Sequence, residues 1–126
     1  MALYIKFVGP NGEPTGDVAR TTGFIWPGPG PGEVVDPDWN PAPACGRGLH
    51  AVPWRDAFPD RVAQVLKIPS VKFLVLEADE KEAVVIPRTQ GRSDPYEGKK
   101  VKMQKCRVLK EASTLDEAKE FCRLME

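Results

Sequence analysis

Thirteen prolines and eleven glycines are spread through 126 residues, and the prolines most narrowly limit what this chain can fold into. Each removes a backbone donor and fixes φ, so neither a long helix nor a broad uninterrupted strand can run through them. Regular structure is confined to short segments joined by stiff turns, which favours strands over a helical bundle. The densest run, Pro27-Gly28-Pro29-Gly30-Pro31-Gly32, opens a segment 27–43 that also holds Asp36-Pro37-Asp38-Trp39-Asn40-Pro41. So many missing N–H groups are expected to block ladder pairing there and leave a stiff surface loop whose Trp39 tucks onto the body.

Between these breaks the hydropathy alternates. Leu3, Ile5 and Phe7 oppose the mixed set Tyr4, Lys6 and Val8, the period of a half-buried strand. Gly9-Pro10-Asn11-Gly12 is a turn by its chemistry. A second strand is expected over Thr21–Trp26, a third at Leu49-His50-Ala51-Val52, and a short one at Ala83–Ile86, stopped by Pro87. Asp60 can cap a short helix ended by Pro69. Val71–Ala78 is apolar on both alternating faces, as a strand covered on both sides requires. Asp79–Glu82 reads as a solvated turn and Thr89–Gly98 as a loop. Lys99–Lys110 reads as the longest strand, with a β-bulge near Gln104-Lys105, because its apolar positions change parity there. Thr114-Leu115-Asp116-Glu117 is a capping box, followed by Ala118, Phe121, Cys122 and Met125 at helical spacing. The expected fold is a single α+β domain over 1–126. It has a central, mostly antiparallel sheet of five or six strands, a short helix, and a C-terminal amphipathic helix over 114–126.

Eighteen basic and eighteen acidic residues cancel, so no global field draws nucleic acid or an anionic membrane. Lys100, Lys102, Lys105, Arg107 and Lys110 form the best basic patch, expected to be the solvent side of a strand without an aromatic platform. Nucleic acid is therefore not expected as a partner. No apolar run approaches the ~20 residues that span a bilayer, and an odd set of three cysteines builds no disulfide framework. A soluble cytoplasmic protein, a monomer or weak oligomer, is expected.

Chemistry concentrates in Ala44–Phe58, which holds the only histidine, His50, with Cys45, Trp54 and Gly46-Arg47-Gly48. Paired Cys-x2–4-Cys ligands are absent, so no metal is expected. Cys45 and His50, oriented by Asp56 or Asp60, are a nucleophile and base only if the glycine turn brings them together. The Gly-Arg-Gly turn lacks the further residues of a Walker or Rossmann phosphate loop. In structural terms Gly46 and Gly48 are expected at positive φ at the entry to a strand, with His50 satisfied by a buried carbonyl or carboxylate. Cys106 and Cys122 read as small core residues.

The string Cys45-Gly46-Arg47-Gly48-Leu49-His50-Ala51, with the strand Lys72–Ala78 and the late Cys106-Arg107-Val108-Leu109, resembles a family of small phage- and prophage-encoded domains of unknown function. Those domains are marked by a Gly-Leu/Phe-His-Ala motif. The resemblance implies a phage or prophage origin, in the host cytoplasm, and no particular activity. More faintly, Gly46-Arg47-Gly48-Leu49-His50-Ala51 and Lys72–Glu77 are similar to the Gly-x-Gly-Ile-Tyr-Phe block of ADP-ribosyltransferases of the poly-ADP-ribose polymerase kind. That similarity implies an NAD site lined by Gly46, Gly48 and His50, with Glu111 or Glu77 as carboxylate. The first strand offers only Tyr4 and Lys6 where that family has His or Arg. The leading expectation is a non-enzymatic accessory module, without cofactor, binding a host or phage protein or a ligand through Arg47, His50, Trp54, Trp39, Gly46 and Gly48. The alternative is an NAD-binding enzyme or its inactive descendant.

Overall fold

The computed structural model describes residues 1–13, 24–43, 48–57, 70–86 and 100–126. Among the described residues seven strands, β1 (Ala2–Val8), β2 (Val34–Val35), β3 (Leu49–Pro53), β4 (Lys72–Ala78), β5 (Val84–Ile86), β6 (Lys100–Met103) and β7 (Lys105–Ala112), precede a C-terminal helix, α1 (Leu115–Met125). They form one antiparallel sheet in the order β2-β7-β4-β1-β3-β6-β5. The fold is α+β and dominated by sheet, with seven strands where five or six are expected.

Two of the seven arise where the sequence reading merged or excluded strands. Lys99–Lys110 is not one bulged strand: a bend at Gln104 divides β6 from β7, and the two pair with different neighbours. β6 stands sixth in the order and β7 second, which in a flat sheet is a separation of roughly 19 Å at about 4.8 Å per strand. Met103 and Lys105 flank one residue, so their Cα atoms are at most about 7 Å apart. The sheet therefore curls until its two halves meet at this corner, and the parity change at Gln104 is the sequence trace of that switch. The register of β4 on β7 also shifts, between Val75 and Leu76. β2 forms inside the proline-rich loop, since Val34 and Val35 are free of proline and pair with Cys106 and Lys105. Asp36 N–H continues the contact to the Gln104 carbonyl at 2.8 Å.

Curling gives the sheet two apolar faces. The inner one gathers Tyr4, Leu49, Leu74, Leu76, Met103 and Val108 from strands along most of the sheet, with Trp26 from the loop. The other carries Ile5, Phe7, Phe73 and Val75 and is covered by Leu115, Ala118 and Cys122 of α1. Phe7 and Phe73, opposite each other across β1 and β4, meet edge to face at 5.6 Å. β4, buried on both faces, lies between β7 and β1. Thr114 caps α1, its Oγ1 accepting from Glu117 N–H at 3.1 Å.

Of the second expected strand, residues 21–23 lie outside the described residues, as do the expected helix after Asp60 and the loop Thr89–Gly98. Phe24, Ile25 and Trp26 are irregular rather than strand. The glycine turn holds them in place: Gly12 lies at φ +83° and its carbonyl accepts from Trp26 N–H at 2.8 Å.

Candidate functional site

The site grows from β3. Gly48 leads into the strand without positive φ, contrary to expectation, and its lack of a side chain serves close packing instead. A Cβ there would come within 3.0 Å of Trp39 Cζ3 and 3.1 Å of Lys102 Cδ. Two residues on, His50 stands opposite Lys102 of β6. Lys102 is 1% exposed, so the basic face of this strand is not simply a solvent side. Its ammonium lies 5.6 Å from the centroid of the Trp39 ring. Trp39 does tuck onto the body, and its seat is the aliphatic and cationic length of Lys102 beside Gly48.

Lys6, on the neighbouring β1, is a half-buried cation on the opposite face of the sheet. Its ammonium sits 5.9 Å from the centroid of Trp26, and Phe24 meets Trp26 edge to face at 5.5 Å. Cation over indole is favourable when desolvated, yet burial still lowers the Lys6 amine from 10.5 to about 8, with Lys100 contributing further. His50 is pushed from 6.5 to about 4 by burial and then by the charges of Lys6, Lys100 and Lys102, against a hydrogen bond with the Gly48 backbone. The result is a neutral imidazole at physiological pH, standing opposite Lys102 on the face that also carries Lys100.

The other expected site residues separate from this group. Trp54 lies in a 3₁₀ turn (Trp54–Asp56) after β3 and donates through Nε1 to Glu126 Oε1 at 2.8 Å, with Arg55 stacked on its ring at 4.7 Å. It closes the end of α1 against the body and is partly buried against the helix-covered core. Gly46 and Arg47, with Cys45, lie outside the described residues, so the Cys45–His50 pairing does too. Glu77 is engaged by Arg107 at 2.9 Å and Glu111 by Lys72 at 2.9 Å. Glu111 is on β7, three strand spacings or roughly 14 Å of sheet from β3. Neither carboxylate is joined to His50 by the sheet. Among the described residues no group of three or more His, Cys, Asp or Glu is placed to hold a metal ion, and no helix is long and apolar enough to cross a membrane.

A separate cavity of about 370 Å³ opens at the β7 edge, lined by Glu33, Glu77, Asp79, Glu82, Lys105 and Arg107, with Cys106 beneath it. Burial and Glu33 push the Cys106 thiol up to about 12, and burial and Glu126 push Cys122 up to about 11. Both are core thiols, as their places on the apolar faces of a strand and a helix imply.

Lys6, Trp26 and Lys102 were not singled out by the sequence as site residues. A signal exists in hindsight: each lysine interrupts an apolar set, Lys6 between Tyr4 and Val8 and Lys102 between Val101 and Met103. Comparison of the chain with protein-family models, with curated proteins and with solved structures returned no match.

Proposed function

We propose that this chain is a non-enzymatic binding module that receives a small anionic ligand at the basic cluster formed by His50, Lys100 and Lys102, beside Trp39. The likeness of Gly48-Leu49-His50-Ala51 to phage and prophage domains makes an accessory role in a phage-infected cell the setting for this activity. The observation that carries the reading is the placement of Lys100 and the buried Lys102 on the strand that pairs with β3, with Lys102 directly opposite His50. Gathering like charges and partly desolvating them is unfavourable. An anion seated among them offsets that cost, and the Trp39 indole supplies a rigid apolar wall.

Inorganic pyrophosphate, titrated at pH 7 with tryptophan fluorescence and the His50 ring resonances as readouts, tests the reading. Binding is expected to raise the His50 pKa, to weaken with added salt, and to fall at least tenfold in a Lys100→Met, Lys102→Met double variant. Unchanged fluorescence and unchanged His50 resonances at millimolar pyrophosphate would refute it. Binding of a mixed-sequence oligonucleotide in preference to pyrophosphate would make nucleic acid the ligand instead.

A further inference from the structure

The cavity at the β7 edge shares no residue with the anion site and forms where two turns of the curled sheet meet. One wall is Asp79 and Glu82, from the turn that follows β4, and the other is Lys105, Cys106 and Arg107 at the start of β7, just past Gln104. Pro31 and Glu33, ahead of β2, and Met1, ahead of β1, complete the lining. Ala2 pairs with Ala78, and Glu77 with Arg107, so these residues gather at one end of the strands, a place where curled sheets commonly hold small molecules. The volume, about 370 Å³, falls within the roughly 300–1,000 Å³ of such sites.

Charges of both signs line this cavity, and they do not cancel. Glu77 accepts from Arg107 at 2.9 Å, which neutralises that pair. Among the described residues, Glu33, Asp79, Glu82 and Lys105 take part in no ion pair, which leaves three carboxylates and one ammonium around a single space. Asp79 is held in place, its Oδ1 accepting from Lys81 N–H at 3.0 Å. The complement of this set carries two cationic groups and one anionic group. Met1, Pro31 and the buried Cys106 offer apolar surface to a methylene stem joining them. Each contact alone adds little, because all four unpaired side chains are exposed to solvent, so selectivity comes from meeting them together. We propose that this cavity binds a free basic amino acid of the arginine kind, its α-carboxylate on Lys105 and its α-ammonium and guanidinium shared among Glu33, Asp79 and Glu82.

The test is titration of the intact chain with L-arginine at pH 7 and low salt, followed by calorimetry and by backbone amide resonances. Arginine is expected to shift the amides of Glu33, Asp79, Glu82 and Lys105. It is expected to bind several-fold more tightly than agmatine, which has both cationic groups but no carboxylate, and a Lys105→Met variant is expected to erase that difference. A Glu33→Gln, Glu82→Gln double variant is expected to weaken arginine by about tenfold; both side chains are exposed, so the fold is kept. No heat and no resonance shift at millimolar arginine would overturn the proposal, as would shifts confined to other residues. Agmatine or Nα-acetyl-arginine amide binding as tightly as arginine would overturn the free-amino-acid assignment and make a bare cation, or a basic side chain within a peptide, the occupant.

Discussion

Single side chains in this protein titrate far from their usual ranges, and the direction of each shift has consequences for stability. His50 takes a proton near 6.5 when unfolded and near 4 when folded, so between those values the unfolded chain binds more protons. Its contribution to stability is therefore fully present above about 6.5 and is lost as pH falls through about 4. Denaturant titrations at pH 7, 5.5 and 4 are expected to show that decline, and a His50→Gln variant is expected to flatten it. Lys6 works in a higher window. With 10.5 unfolded and about 8 folded, its ammonium opposes folding below pH 8, and stability rises with pH between about 8 and 10.5. The Lys6 charge leaves the face of Trp26 at its own midpoint, so tryptophan emission is expected to change near pH 8. That step should vanish in Lys6→Met. The raised thiols of Cys106 and Cys122 predict the opposite of reactivity: neither is expected to react with a thiol reagent in native protein at pH 8, whereas both should react on unfolding.

At the scale of elements, α1 and the first turn are held by local devices whose loss is measurable. The Thr114 cap satisfies one of the orphan donors of α1, and Glu117 Oε2 reaches back to Ser113 N–H at 3.4 Å. Thr114→Ala is expected to lower stability by about 1 kcal/mol in denaturant unfolding, with no change in pyrophosphate affinity because the cap follows β7, three strands along the sheet from β3. Gly12 is different in kind. It combines positive φ with a space in which a Cβ would meet the Trp26 carbonyl oxygen at 2.3 Å. Gly12→Ala is expected to displace Trp26 from Lys6, removing the emission step near pH 8 as well as costing stability. The turn is thus coupled to the Lys6–Trp26 contact through one backbone hydrogen bond.

For the molecule as a whole, the decisive feature is the corner at Gln104. It carries the chain from β6 to β7 and makes a single curled sheet enclose a core of its own, separate from the one under α1. Leu76 is fully buried in the enclosed core, and Leu76→Ala is expected to cost about 2–5 kcal/mol in global unfolding. Truncation there should also loosen Trp26, which packs in the same cluster. The site sits where β3 and β6, strands far apart in sequence, come together with Trp39 of the loop, so it exists only when the sheet has formed.

Local pattern alone determined β1, β3, β4, the two turns and α1, because alternation, turn chemistry and capping act within a few residues. It also marked His50 and Trp39 as residues to watch, and the core role of Cys106 and Cys122. The sequence did not separate β6 from β7, because a parity change looks the same for a bulge and for a corner. Nor did it show that Lys102 is buried or that Lys6 lies under an indole. Those outcomes depend on strands distant in sequence being brought side by side, and a lysine carries no local mark of what will cover it. Tertiary structure alone decided that Trp54 serves the end of α1 and that Gly48 makes room for Trp39.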